Sequence, residues 1–188
     1  MAHQRDEDRW PDDSKRPLTQ RGEERFRRAA GGIIRLVPEI DLVLSSPFAR
    51  AWRTAEILEQ AGCPAPISCE ELEPGYPPHK VLAALARYED SGSVAVVGHR
   101  PQLHEMVSYL LTGDAEGLRV QIKKGGAVRL QFDGLLEPSD GFLRWLLTAK
   151  ALRVMGGTAC RPWTARRPAV SPRGFRAQGT GSSSGRAG

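Results

Sequence analysis

Residues 94–99 have the sequence VAVVGH, and this stretch contains the strongest strand signal in the chain. Four apolar residues, three of them β-branched, predict a strand that is covered on both faces, in the middle of a parallel sheet. The strand ends at Gly98 and His99, and Pro101 predicts the first turn of a helix just beyond. Ligands of open α/β sheets bind beyond the carboxyl ends of the strands, so His99 is a candidate site residue.

Helices and strands alternate on either side of this stretch. A helix capped by Thr19 is predicted first, and its two glycines, Gly31 and Gly32, are expected to weaken its last turns. The other predicted elements are a strand at 42–44, a helix capped by Ser46, an extended piece at 67–72, a helix around 81–88 and paired strands at 127–132 and 142–147. This order predicts an α/β fold with three layers, in which a mostly parallel sheet carries helices on both faces.

The composition divides the chain into three segments. Residues 1–18 are predicted to be a charged loop, residues 19–153 the domain, and residues 154–188 a disordered basic tail. The last 38 residues hold seven arginines and no acidic residue, which leaves a net charge of −2 for residues 1–150 out of the total of +5. Such a tail could bind nucleic acid through its arginines, but a solvated extension is the commoner role, so nucleic acid is not expected as a partner.

Neither a membrane nor a metal is expected. The chain has no run of about 18 apolar residues and its first thirty residues are charged, so a soluble, cytoplasmic protein without a membrane partner is predicted. The three cysteines, Cys63, Cys69 and Cys160, form no C-x-x-C pair and the four histidines are scattered. We therefore expect reduced thiols, no metal and no cofactor.

A second candidate residue follows the strand at 42–44. Residues 45–50 have the sequence SSPFAR, which places Arg50 in the first turn of a helix. The free N–H groups there already favour an anion, and a guanidinium adds a bidentate fork for phosphate oxygens. Taken singly, an arginine in a first turn is most often solvated and a histidine after a strand is most often structural.

Four motifs occur in a fixed order along the chain, and any one of them alone is a weak signal. They are Lys15-Arg16-Pro17-Leu18-Thr19-x-x-Gly22, Ser45-Ser46-Pro47-x-x-Arg50-Ala51-x-x-Thr54-Ala55, Val97-Gly98-His99-x-Pro101 and Lys123-Lys124-Gly125-Gly126. With this order and spacing, residues 15 to about 153 resemble the SixA-type phosphohistidine phosphatases of the histidine phosphatase superfamily.

The resemblance implies a phosphatase that works through a phosphohistidine intermediate. It assigns Arg50 to the phosphate pocket and His99 to the second histidine, which stabilises the transferring phosphoryl group. The family's nucleophile lies in an Arg-His-Gly motif that ends its first strand, and this sequence has no such motif. The resemblance thus implies that the chain begins after its nucleophile, that the first central strand is missing and that the chain as written is inactive.

Two other residues are weaker candidates. Glu71 lies near the position where related phosphatases hold a general acid, although glutamates in an exposed acidic loop are more often solvated. His3 is rejected as a nucleophile, because only Met1 and Ala2 precede it and no strand can position it.

The expected function is hydrolysis of phosphohistidine or another phosphomonoester, with a phosphorylated protein or a small phosphoester as partner. Phosphoryl transfer needs an in-line nucleophile and cations or donors around the equatorial oxygens, so no metal is required when arginine and histidine provide them. A non-catalytic phosphate or phosphoprotein-binding module that keeps Arg50 and His99 is the alternative. A third reading treats the domain as a carrier for a nucleic-acid-binding tail.

Overall fold

Three short parallel strands form the centre of the molecule. A computed structural model describes residues 10–157, and its strands β1 (Leu42–Ser45), β2 (Pro66–Ser68) and β3 (Val94–Val97) pair in the order β2-β1-β3. Leu42 lies opposite Val94 and Ser45 opposite Val97. Because the strands are parallel, all three carboxyl ends lie at one edge of the sheet.

The position of β3 corrects one prediction. Residues 94–97 were expected in the middle of the sheet, but β1 is the central strand and all four of its residues are buried. All four residues of β3 are only half-buried. The physical reason is that, among the described residues, β3 pairs along one edge only, with β1.

The sheet has an apolar cluster on each face. Helices α1 (Gln20–Leu36) and α2 (Ala49–Gln60) enclose the first cluster with α5 (Ala149–Gly157), and it contains Val43 of β1. Helices α3 (Pro78–Leu85) and α4 (Gln102–Thr112) enclose the second, which contains the neighbouring Leu42 and Leu44. Alternate side chains of β1 thus pack on opposite faces of the sheet, as the two-residue period of a strand requires. The predicted α/β class is confirmed.

A hairpin completes the described elements. Strands β4 (Ala127–Gln131) and β5 (Phe142–Leu147) pair antiparallel, as the sequence predicts. Ala127 packs against the first apolar cluster and Leu130 against the second. The hairpin therefore contributes to both faces, as a continuation of the sheet would, although no hydrogen-bonded ladder joins it to β3 within residues 10–157.

The domain extends beyond the boundary that the sequence predicts. Residues 154–157, assigned to a disordered tail, form the last turn of α5, and the rest of that tail lies outside the described residues. Residues 10–18 are irregular apart from a 3-10 turn at Asp13–Lys15, whereas residues 1–9 also lie outside. In the described part, no helix has the length and apolar character that a membrane span requires.

Close packing of α1 on α5 explains both the extra helix and the need for glycine at position 32. A Cβ on Gly32 would overlap the carbonyl oxygen of Leu152, and one on Gly156 would overlap that of Arg28. Leu152 is fully buried at this crossing. The expected weakening at Gly31 and Gly32 does not end α1, which continues to Leu36, because the missing side chain lets the two helices approach.

We predict that Gly32→Ala lowers the free energy of unfolding by about 2 kcal/mol, because its methyl group overpacks the crossing with α5. Gly31→Ala is the matched control, because its Cβ would lie 3.8 Å from the Cα of Gly156, which is an ordinary contact. We expect it to raise the free energy of unfolding by up to about 1 kcal/mol, since alanine has the higher helix propensity. Urea unfolding followed by circular dichroism measures both. Equal effects of the two substitutions would contradict this account of the crossing.

Candidate anion-binding site

The loops after all three strands meet at the carboxyl edge of the sheet. The N–H of Ser46, just after β1, donates to the carbonyl of Val97 at 3.0 Å. On the other side of β1, the N–H of Cys69 donates to the carbonyl of Ser45 at 2.9 Å. These bonds fix the loops that carry Arg50 and Glu71 relative to the one that carries His99.

His99 is buried at this edge, with 8% of its surface exposed. Its Nε2 lies 2.9 Å from the hydroxyl oxygen of Ser46, and its ring centre lies 5.1 Å from that of Phe48. The carbonyl of His99 accepts the N–H of Leu103 at the start of α4. The imidazole is therefore held between the loop after β1 and the helix after β3.

The pKa of His99 falls from 6.5 to about 4. Burial is the largest cause, since a buried site disfavours the charged imidazolium, and the positive charges of Arg50 and Arg16 lower the pKa further while Asp13 raises it. The imidazole is thus neutral at neutral pH. A bound anion would act in the opposite direction and favour the protonated ring.

Arg50 lies in the first turn of α2 and reaches toward the same place. Helix α2 begins at Ala49 after Phe48, two residues later than a Ser46 cap would place it, and the Ser46 hydroxyl accepts the N–H of Phe48 at 3.3 Å. The guanidinium carbon of Arg50 lies 5.3 Å from the centre of the Phe48 ring. Arg50 and His99 thus both contact Phe48, and the structure brings the two predicted site residues together.

Asp13 and Arg16 complete a charged cluster that sequence reasoning missed. One carboxylate oxygen of Asp13 lies 2.9 Å from Nη2 of Arg50, and the other lies 2.9 Å from Nη2 of Arg16. The Nε of Arg16 is buried without a hydrogen-bond partner. Arg16 belongs to the first of the four motifs, and its i, i+3 spacing from Asp13 was the signal available in the sequence.

Glu71 sits in a different environment from the one a general acid needs. Its carboxylate pairs with Arg87 at 3.0 Å and accepts the thiol of Cys69 at 3.3 Å. A hydrogen bond from its own backbone N–H is the largest cause that lowers its pKa, with Cys69 and Arg87 adding to it. A carboxylate kept ionised has no proton to donate, so this environment disfavours the acid role, which stays a prediction.

Gln102 holds the loop of Glu71 against the site and was also missed. Its side chain is buried, and its amide nitrogen lies 2.8 to 3.1 Å from the carbonyl oxygens of Glu71, Glu73 and Tyr76. These contacts span the 3-10 turn at Glu70–Leu72 and the bend after it. A glutamine at the start of a helix gives no sequence signal for such a role.

Within residues 10–157, no three His, Cys, Asp or Glu side chains cluster as metal ligands would. The charges of the site therefore come from arginines, Asp13 and a titratable histidine. The absence of metal and cofactor chemistry stays a prediction.

Comparisons with known proteins agree with this fold. The structure is similar to that of the protein histidine phosphatase SixA complexed with tungstate, with a TM-score of 0.66 and 27% identity over 74% of this chain and 88% of that one. It is also similar to a protein from Nakamurella multipartitia assigned as a SixA phosphohistidine phosphatase, with a TM-score of 0.59 and 26% identity over 71% and 85% of the two chains. An Agrobacterium tumefaciens protein with the same assignment, 21% identical with a TM-score of 0.59 over 72% and 85%, shares the fold.

The molecule is thus a SixA-like histidine phosphatase fold, as the motifs predict. By sequence, it is 34% identical over 125 residues to an uncharacterized protein of the cyanobacterium Picosynechococcus, which covers 65% of this chain and 75% of that one. The chain belongs to the same family as that protein. No family model matches the sequence.

The depressed pKa of His99 predicts an acid-sensitive stability. The unfolded chain binds a proton near pH 6.5 and the folded one only near pH 4, so unfolding takes up a proton between these values. The free energy of unfolding should therefore fall as the pH drops from 6.5 to 4, by roughly 3 kcal/mol at the lower end. His99→Gln should remove this part of the pH dependence, as measured by urea unfolding from pH 4 to 8. Identical profiles for the two proteins would contradict the assigned environment of His99.

Proposed function

We propose that this domain binds the phosphoryl group of phosphohistidine or another phosphomonoester between Arg50 and His99, and that its complete active site hydrolyses that bond. The observation that carries the proposal is the meeting of Arg50 and His99 around Phe48 at the carboxyl edge of a SixA-like sheet. One SixA with this fold was solved with tungstate, an oxyanion with the tetrahedral shape of phosphate. A phosphorylated protein or a small phosphoester is the proposed substrate.

The two residues have different roles in this proposal. Arg50 keeps its charge although burial lowers its pKa, and its planar fork suits two oxygens of a phosphoryl group. His99 is neutral at neutral pH without a bound anion. A phosphoryl dianion beside it raises its pKa, so the ring takes up a proton and stabilises the charge of the transition state.

The nucleophile is the part of the site that the described residues do not supply. Of the other two histidines within residues 10–157, His104 contacts the backbone of Ile122, and His79 is exposed on α3. Neither contacts Arg50 or His99. A covalent phosphohistidine route therefore needs a histidine from elsewhere.

The outer edge of β3 supports a place for that histidine. Strand β3 is apolar, half-buried and unpaired on this edge within residues 10–157, and β4 contributes to the same two apolar clusters without bonding to it. An added strand parallel to β3 would pair with this edge, and its carboxyl end would lie beside His99. We propose that such a strand, ending in Arg-His-Gly, carries the nucleophile.

A second candidate function is a phosphate or phosphoprotein-binding module without turnover. The observation that favours it is the same pair of anion-binding residues beside no histidine nucleophile in the described part of the chain. Activity measurements on the 188-residue chain and on an extended one separate the two candidates.

We predict that the 188-residue chain lacks phosphatase activity, and that adding a strand ending in Arg-His-Gly ahead of it produces activity. Without a histidine acceptor, electrostatic stabilisation leaves only water as the attacking group. Release of inorganic phosphate from a phosphohistidine peptide measures the outcome.

The control is the same extended protein with the added histidine changed to Ala, which should be as stable as its parent but without turnover. If the 188-residue chain itself hydrolyses the peptide and His99→Ala abolishes that activity, the proposed origin of the nucleophile is wrong. Phosphate binding by the extended protein without turnover would favour the binding module.

A further inference from the structure

Asp13 holds Arg50 and Arg16 in the way that a phosphoryl group would. Its two carboxylate oxygens contact Nη2 of Arg50 and Nη2 of Arg16, each at 2.9 Å. Its main-chain carbonyl accepts Nη1 of Arg50 at 2.7 Å. Three oxygens of one residue thus bind the two guanidinium groups, and both terminal nitrogens of Arg50 are engaged.

The turn that carries Asp13 is held only lightly. None of the residues of the 3-10 turn Asp13–Lys15 is buried, and 56% of the Asp13 side chain is exposed, against 15% for Arg50 and 25% for Arg16. Within residues 10–157, the other bonds of the turn are local, from Asp12 to Ser14 and Lys15 and from the N–H of Arg16 to the carbonyl of Asp13. Moving Asp13 away from the arginines therefore requires no rearrangement of either apolar cluster.

We propose that Asp13 is a specificity-determining residue, a resident carboxylate that an incoming anion must displace from Arg50 and Arg16. The inference rests on the proposed function, since it assigns Arg50 to the same anion site. A phosphoryl dianion brings more charge to the two arginines than the carboxylate that it replaces. A ligand with a single carboxylate carries no more negative charge than the Asp13 side chain that it would replace. It must also compete with Asp13, which the chain holds beside the arginines at a high effective concentration.

The site should therefore accept phosphoryl groups and reject carboxylates of similar size. The opposite role for Asp13 is to orient Arg50 for the ligand while remaining bound to it. The two roles predict opposite changes in phosphate affinity when the charge of Asp13 is removed. The affinity rises if the ligand must displace the carboxylate, and it falls if the carboxylate orients Arg50 for the ligand.

The test is titration calorimetry of the full chain with inorganic phosphate and, separately, with acetate at pH 8. Asp13→Asn keeps the size of the side chain and the main-chain carbonyl but removes the charge. We expect it to bind phosphate about fivefold tighter or more, since each exposed ion pair contributes up to about 1 kcal/mol. We also expect the preference for phosphate over acetate to fall. Asp12→Asn is the matched control, because the carboxylate of Asp12 bonds to Ser14 and Lys15 and to neither arginine of the site within residues 10–157, and it should bind as the wild type does.

Several outcomes overturn the inference. Weaker or unchanged phosphate binding by Asp13→Asn, with the wild type binding in an Arg50-dependent manner, overturns the role of Asp13 and leaves the proposed function intact. Absence of phosphate binding by both proteins overturns both. Asp13→Ser, which removes the same charge, should also bind phosphate more tightly than the wild type. If thermal unfolding shows that Asp13→Asn is misfolded, the result for Asp13→Ser is the test of the inference.

Discussion

The parallel pairing of β1 with β3 is the constraint on which the site depends. It places the ends of the two strands side by side, so that Arg50, five residues after β1, and His99, two residues after β3, reach the same point. The bond from the Ser46 N–H to the Val97 carbonyl and the contact of Ser46 with His99 extend this pairing by one step past the strands. Helices α2 and α4 then begin at the edge of the site and hold its two loops.

Burial and charge act together on the site. His99 loses its charge because it is buried near two arginines, whereas Arg50 keeps its charge and is compensated by Asp13. The site therefore combines a neutral histidine with a cation whose counter-ion is part of the chain. In the two proposals above, an anion changes the protonation of the histidine and exchanges with the carboxylate.

Sequence patterns predicted the features that depend on residues close together in the chain. Local propensity and the spacing of apolar residues predict three of these features. They are the strand β3, the turn-rich segment between β4 and β5, and the place of Arg50 in the first turn of a helix. The ordered motifs identified the SixA-like fold. These predictions use local sequence alone and do not require knowing which helices and strands contact one another.

The features that were missed depend on contacts between distant residues. Asp13 meets Arg50 across 37 positions, and Gln102 holds carbonyls 26 to 31 positions away. Helix α5 was missed because the glycine crossing with α1 that stabilises it joins residues far apart in the chain. The edge position of β3 could not be read from its composition, because an apolar strand has the same sequence whether or not its second neighbour is present.

The proposed anion site requires Arg50 and His99 to act on the same ligand. Nuclear magnetic resonance of the His99 imidazole, titrated with acid in the absence and presence of inorganic phosphate, tests this proposal. We expect a pKa of about 4 without phosphate and a clear rise toward the ordinary value of histidine with it. Arg50→Ala should abolish the response to phosphate, and Arg53→Ala, one turn further along α2 and paired with Glu23 and Glu56, should preserve it. A His99 pKa that phosphate leaves unchanged in the wild type would contradict the shared site.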